Sequence, residues 1–241
     1  MKRLIDFIFS FFGILIFSPL IIVFSILIWL QDFYNPFYFA DRVGKNFKNF
    51  KMVKFRSMIV NADLSGVDST SSNDIRITKL GSLIRKYKFD ELPQLFNVIL
   101  GQMSLVGPRP NVKRETDLYT DEEKLILSFR PGITDFSSIV FSDEGDILKN
   151  SQDPDLDYNQ LIRPWKSRLA IFYVLNSNLL IDLKIIYLTI YSLLDKKKVL
   201  NKISRLLESK NANTALVDIA KRKKKLKPTP PPGSNEIVSS R

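Results

Sequence analysis

Histidine and cysteine are both absent from the 241 residues. Those two gaps remove disulfides, thiolate nucleophiles, histidine general bases and the usual zinc ligand sets in one step. Catalysis, if the chain performs any, must run on carboxylates, lysine, tyrosine, serine or threonine, or on a metal held by oxygen atoms. A third gap is local. Residues 196–241 contain no Phe, Tyr or Trp, although residues 195–241 carry 13 Lys/Arg against 4 Asp/Glu, most of the whole chain's net charge of +11. A nucleic-acid-binding tail would interleave aromatic rings with its cations to stack bases, which argues against that partner. An anionic membrane surface suits the same charge, so the tail is expected to aid membrane attachment and to be dispensable for chemistry.

What the chain does have begins with residues 4–30, an apolar run whose one charge is Asp6. As a helix it would reach about 40 Å against a hydrocarbon core of about 30 Å, enough to span. The run is too long for a secretory signal, and no small-residue cleavage site follows it. Pro19 stands in the middle, where it loses its hydrogen bond to the Leu15 carbonyl, and Ser18 beside it can bond back to the Ile14 carbonyl. Each half then covers roughly 22 Å or 18 Å, too little to cross alone. Lys2 and Arg3 hold the N-terminus in the cytoplasm, so a spanning helix would export everything after it. From the residues, a spanning helix and a re-entrant hairpin over 1–33, broken at Ser18 and Pro19, both remain open.

Residues 36–55 hold two β-like runs around Val43-Gly44-Lys45-Asn46, which predicts a hairpin. Residues 61–75 are a polar loop. From Thr78 the pattern turns helical, with Leu80, Leu83, Ile84 and Tyr87 as an apolar core stripe. Residues 111–129 predict an amphipathic helix capped at Thr120. Asp153-Pro154-Asp155-Leu156-Asp157 contains two overlapping DxD patterns, better explained as a helix-capping loop than as a metal-nucleotide motif. Residues 165–175 and 178–194 are helical and strongly apolar, the second suited to lying at a membrane interface or to packing on the core. A basic amphipathic helix over 196–207 follows, then a proline-rich stretch, 228–233, of disordered character. The expected fold class is α+β: a mainly helical, membrane-associated domain with one small β-hairpin, a membrane segment over 1–33, a body over 34–195 and a tail over 196–241.

The most informative stretch is residues 85–110, RKYKFDELPQLFNVILGQMSLVGPRP. Arg85, Lys86 and Lys88 precede two adjacent carboxylates, Asp90 and Glu91, and Arg109 leaves between Pro108 and Pro110. Asp90-Glu91-Leu92-Pro93 has the composition of a helix start, with Asp as cap and Pro in the first turn. The surrounding cations point elsewhere. They suit phosphate oxygens, while the carboxylates suit a divalent cation or an attack on phosphorus.

This stretch resembles the signature of the bacterial monotopic phosphoglycosyl transferases, sugar transferases that load a polyprenyl phosphate. Lys54-Phe55-Arg56-Ser57-Met58 and Arg130-Pro131-Gly132-Ile133-Thr134 are similar to two further family boxes. Gln102 stands where the family usually has Asp, and Ser142 where the related branch usually has Arg. The resemblance implies an enzyme on the cytoplasmic face of the bacterial inner membrane, monotopic, whose Ser-Pro break makes the membrane segment re-entrant. It implies that Asp90 attacks the β-phosphorus of a UDP-sugar, that Glu91 holds Mg²⁺, and that UMP leaves before the lipid phosphate takes the phospho-sugar. Cations near Asp90 are expected to lower its pKa. Lys54, Arg56, Arg85, Pro108, Arg109, Pro110 and Arg130 are the phosphate- and nucleotide-binding candidates. UDP-sugar, polyprenyl phosphate and anionic lipid are the implied partners, with glycosyltransferases of later steps beside them. The competing class, a non-catalytic membrane anchor or scaffold with a basic tail, gives residues 85–110 no purpose. A DxD glycosyltransferase would release UDP instead of UMP.

Overall fold

A 31-residue helix, α1 (Lys2–Asp32), leads the chain in the computed structural model, which describes residues 1–240. Helical backbone carries through Ser18 and Pro19 without stopping. Ser18 Oγ donates to the Leu15 carbonyl at 2.8 Å, not to that of Ile14. Leu15 is the acceptor that Pro19 deprives of an N–H, so the hydroxyl replaces the missing donor.

One side of α1 meets the body along its whole length. Lys2 Nζ donates to the Asp182 carboxylate (2.5 Å), the Tyr173 hydroxyl (3.0 Å) and the Val106 carbonyl (2.9 Å). Asp6 is buried and accepts from Ser104 Oγ at 2.8 Å and the Leu105 N–H at 3.1 Å. Farther along, Ile21, Phe24 and Ile28 pack with Phe55 and Ile84. At the end Asp32 takes both arms of the Arg56 guanidinium at 2.5 and 2.6 Å. The other side presents Phe12, Leu15, Ile16, Ile22, Val23 and Leu30 to the surroundings.

The predicted hairpin forms from β1 (Phe37–Val43) and β2 (Asn49–Phe55), antiparallel with Phe37 opposite Phe55 and Val43 opposite Asn49. Strand alternation puts Tyr38, Ala40 and Arg42 on one face with Phe50, Met52 and Lys54. Ala40 and Met52 bury that face against Val98 and Met103. Thr78 caps α2 (Lys79–Lys86) by accepting from the Gly81 N–H at 2.9 Å. Its apolar stripe is narrower than predicted: Ile84 is buried and Leu80 packs beside it, while Leu83 and Tyr87 stay exposed.

After α3 (Gln94–Ile99), a strand of three residues, β3 (Ser104–Val106), pairs in parallel with β4 (Gly132–Thr134). The single helix predicted between them is split into α4 (Lys113–Asp117), α5 (Asp121–Lys124) and a 3₁₀ turn, with a full capping box between Thr120 and Glu123. The split has a cause. Glu123 is buried to bind Arg163 (2.6 Å) and Ser167 (2.6 Å), which fixes where α5 must start.

Short helices α6 (Phe136–Val140), α7 (Glu144–Ile147) and α8 (Pro154–Asp157) precede the long pair α9 (Arg163–Asn176) and α10 (Leu179–Ser192). Asp153 caps α8 through the Leu156 N–H, and Asp155 accepts from the Ser69 N–H at 2.7 Å, so the DxD stretch is a capping loop. The α10 helix buries Ile181, Ile185 and Leu188 and exposes Leu180, Leu183, Tyr187 and Ile190.

The last segment differs most from expectation. The helices α11 (Lys196–Ser209) and α12 (Thr214–Ala220) pack into the main core, Val199, Ile203, Leu207 and Val217 joining Phe136, Leu169 and Ile185. The proline-rich stretch lies along the body, where Thr120 Oγ donates to the Pro232 carbonyl at 2.6 Å and Gln160 Nε2 to that of Val238 at 2.7 Å. Apolar contacts, these hydrogen bonds and the ion pairs of Lys196 and Arg222 with Asp143 hold the tail to the body. Replacing Ile203 by alanine is therefore expected to lower stability by about 2–5 kcal/mol, the usual range for truncating a fully buried isoleucine. Chemical denaturation reads this directly, and an unchanged midpoint would place α11 outside the core.

Candidate active site

Three elements converge on two carboxylates. The left-handed backbone of Lys88 (φ 60°) turns the chain out of α2 into a 3₁₀ turn, Phe89–Glu91, that carries the pair. Helical backbone then continues through Leu92 and Pro93 into α3. From β2 comes Lys54, and from the exit of β3 comes Arg109.

Glu91 is gripped from both sides. Lys54 Nζ lies 3.3 Å from Oε1, while the Arg109 fork donates to Oε2 at 3.2 Å and also to Oε1. Two-pronged guanidinium–carboxylate pairing fixes both position and orientation. Burial by itself would raise the Glu91 pKa, but the Arg109 and Lys54 charges outweigh it and hold the carboxyl well below the usual range. Burial pulls the Lys54 ammonium down against the opposing pull of Glu91, and Glu91 raises Arg109.

Asp90 is the opposite case. It is buried, its Oδ1 has no hydrogen-bond partner, and α3 begins after Pro93 with no side-chain cap. Capping therefore does not explain Asp90. Burial first, and the Glu91 charge second, raise its pKa above the ordinary carboxylate value, against Lys54, Arg85 and Lys88. This corrects the expected lowering: the cations are outweighed by desolvation. A buried, unpartnered carboxylate oxygen is unfavourable for folding, so the fold itself gives no reason for an acid at this position.

The remaining candidates divide. Arg85 is half-buried, forms no ion pair among the described residues, and its charge acts on Asp90. Pro108 and Pro110 are buried and fix the backbone on each side of Arg109. Behind them Gly107 and Gly132 touch so closely that a Cβ at Gly132 would lie 2.1 Å from the Gly107 nitrogen. Arg56 is turned away from the site, bound to Asp32 and the Asn35 carbonyl. The Arg130 carbonyl backs onto Gly107, and its side chain forms no ion pair with Asp90 or Glu91.

Three features escaped sequence reading. Arg42 is half-buried on the same hairpin face as Lys54, which strand alternation foretells once the register is known. Lys166 and Glu144 pair at 2.6 Å, and both exert charge on Arg109 or feel it. Gln102, the departure from the family pattern, has a structural duty: its Oε1 accepts from Asn97 Nδ2 at 2.6 Å. Asn97 in turn holds β2 through the Val53 N–H and the Lys51 carbonyl.

No three carboxylates converge among the described residues. The oxygen donors of the adjacent pair suit Mg²⁺ in the mode where one or two carboxylates and substrate phosphate oxygens share the ion.

A protein built this way, with an acidic pair held among basic side chains beside a long apolar helix, has clear relatives. The family described as bacterial sugar transferase matches residues 1–196, and the chain belongs to that family. It is 33% identical over 196 residues to the UDP-N-acetylgalactosamine-undecaprenyl-phosphate N-acetylgalactosaminephosphotransferase of Aeromonas hydrophila, covering 80% of this chain and 43% of that one. The UDP-glucose:undecaprenyl-phosphate glucose-1-phosphate transferase of Klebsiella pneumoniae is 34% identical over 198 residues, 79% of this chain and 39% of its own. The chain thus spans less than half the length of these two relatives. The exopolysaccharide production protein ExoY of Sinorhizobium fredii is nearer in size, 34% identical over 206 residues, 78% of this chain and 83% of its own.

The raised Asp90 pKa has a stability consequence. A carboxyl with a folded pKa above its unfolded one destabilises the fold as pH rises from the unfolded value through the folded one. Asp90→Asn should therefore melt higher than wild type at pH 7, by about 2–4 °C per kcal/mol relieved, with the gain vanishing toward pH 3. Calorimetry at several pH values tests it; a variant less stable at pH 7 would mean that Asp90 supports the fold.

Proposed function

We propose that this protein transfers a phospho-sugar from a UDP-sugar to a polyprenyl phosphate, with Asp90 as nucleophile. The observation that carries the reading is the buried Asp90 Oδ1 left without a partner next to Glu91, which Arg109 and Lys54 hold. An Asp90 oxygen attacks the β-phosphorus, the bond from that phosphorus to the bridging oxygen breaks, and UMP leaves with the electron pair. The lipid phosphate oxygen then attacks the aspartyl phospho-sugar, giving polyprenyl diphospho-sugar and returning the carboxylate. Desolvation makes the buried carboxylate a stronger nucleophile once ionised, and no general base is required. Arg109, Lys54, Arg85 and Arg42 supply the charge that meets the diphosphate. Glu91 would hold Mg²⁺, and the ion supplies charge neutralisation to the departing UMP.

A scaffold reading leaves the unpartnered carboxylate unexplained. The relatives' names speak of undecaprenyl phosphate acceptors, which supports the same acceptor class here. The membrane arrangement belongs to the same proposal. The α1 helix is long and apolar enough to cross a bilayer, but its two ends are bound to one body, through Lys2 and through Asp32. A crossing helix would separate those ends by the hydrocarbon core, so on this reading α1 stays on one face with its exposed apolar side in lipid. The body then sits monotopically on the cytoplasmic face. The exposed side of α10 lies at the same interface, and glycosyltransferases of later steps act on the product there.

Asp90→Asn should abolish UMP release by several orders of magnitude, because an amide cannot form the acyl phosphate. Wild type given UDP-sugar without lipid should accumulate a phospho-sugar adduct at Asp90 by intact mass; a panel of UDP-sugars identifies the donor. Turnover by Asp90→Asn would sink the mechanism. For topology, single cysteines at positions 2 and 34 should both label from the cytoplasmic side, and labelling from opposite sides would exclude a same-face helix.

A further inference from the structure

Glu123 shows how this fold completes a buried carboxylate. Its Oε1 accepts from Arg163 Nε (3.2 Å) and Ser167 Oγ (2.6 Å), and its Oε2 from Arg163 Nη2 (2.6 Å) and the Thr120 N–H (3.1 Å). Glu144 is built differently. Its Oε2 accepts from Lys166 Nζ at 2.6 Å, while Oε1 accepts from no donor among the described residues and 30% of the side chain stays exposed.

Lys166 stands in the first turn of α9, and Tyr158 opens the π-helical turn that leads into it. The ammonium lies 5.3 Å from the centre of the Tyr158 ring. That side chain is buried, yet its hydroxyl has no hydrogen-bond partner among the described residues. Lys166 and Tyr158 line one cavity together with Asn111 and with Arg109, whose fork holds Glu91. The charges of Glu144 and Asp90 both act on Arg109.

An ion pair made for stability alone gains most by closing both carboxylate oxygens, as at Glu123. Here an open carboxylate oxygen, two unused ammonium protons and a free phenol gather beside one cavity instead. Neighbouring hydroxyls match that set, because each can donate to a carboxylate and accept from an ammonium or a phenol. We infer that Glu144, Lys166 and Tyr158 bind a vicinal diol of the donor. The inference rests on the phospho-sugar transfer reading, in which Arg109, a wall of this cavity, meets the diphosphate. A UDP-hexose carries such a diol on each side of its diphosphate, one on the ribose and one on the sugar. Neither diol is at the reacting phosphorus, so contacts to it are made alike before and during transfer and appear in KM more than in kcat.

The test is UMP release by the full chain with UDP-glucose, UDP-galactose and their N-acetylated counterparts. Tyr158→Phe removes a hydroxyl that the fold does not use, so folding is spared. It should raise KM for the preferred donor about 2–10-fold, the range of one neutral hydrogen bond. Glu144→Gln keeps an acceptor for Lys166 and should raise KM about 10–100-fold, with kcat changing far less. Inhibition by UMP, which has the ribose and not the sugar, tells the two diols apart. UMP inhibiting both variants more weakly, in step with KM, assigns the ribose diol. Unchanged UMP inhibition with narrowed discrimination among the donors assigns the sugar diol. Folded variants with wild-type KM for every donor and wild-type UMP inhibition overturn the inference and leave the Asp90 mechanism standing. Failure of that mechanism shows separately, as turnover by Asp90→Asn.

Discussion

The grip of Arg109 and Lys54 on Glu91 is the constraint around which the body is arranged. It ties the hairpin, the turn after α2 and the exit of β3 at one point. Removing one cation would leave a buried carboxylate half-compensated, the costly way to break such a cluster. The same grip keeps Glu91 ionised while Asp90, its neighbour in sequence, is pushed the other way. Two adjacent carboxylates with opposite displacements can hold different roles. A symmetric pair would share a proton instead.

The long apolar helix belongs to this arrangement and is not an appendage. Arg3 donates to the Val98 and Ile99 carbonyls at the C-terminal end of α3, alongside the Gly101 N–H that also reaches Val98. Asp6, the one charge in the apolar run, is spent on β3. The charges that looked like topology signals are therefore also structural ties between α1 and the two elements that flank the site.

Much of the site was legible from residues 85–110 because its chemistry lies in one contiguous stretch. Residue types pointed to Asp90, Glu91 and Arg109, and the family resemblance added Lys54, which the fold brings together with them. Arg56 was named on the same grounds and is tied to Asp32 instead, since a basic side chain declares its charge but not its partner. The hairpin was legible from alternation; β3 and β4, three residues each, are too short to show any period. In the tail, the apolar stripe of α11 was visible, but lysines around it pointed to a membrane surface. Which surface an amphipathic face meets is a tertiary fact, and here it is the core. The unpartnered state of Asp90 Oδ1 is likewise invisible before the neighbours are placed.

The contact between Gly107 and Gly132 gives the site its narrowest tolerance. Both backbones occupy the space of the missing side chains: a Cβ on Gly107 would lie 2.4 Å from the Arg130 carbonyl oxygen, and one on Gly132 would lie 2.1 Å from the Gly107 nitrogen. Neither residue carries a reactive atom. Yet a single methyl group at either would force β3 and β4 apart and swing the Pro108-Arg109-Pro110 segment away from Glu91. The positions of this molecule least open to variation thus include a pair with no side chain at all, and drift in its sequence is fenced by backbone clearance as firmly as by chemistry.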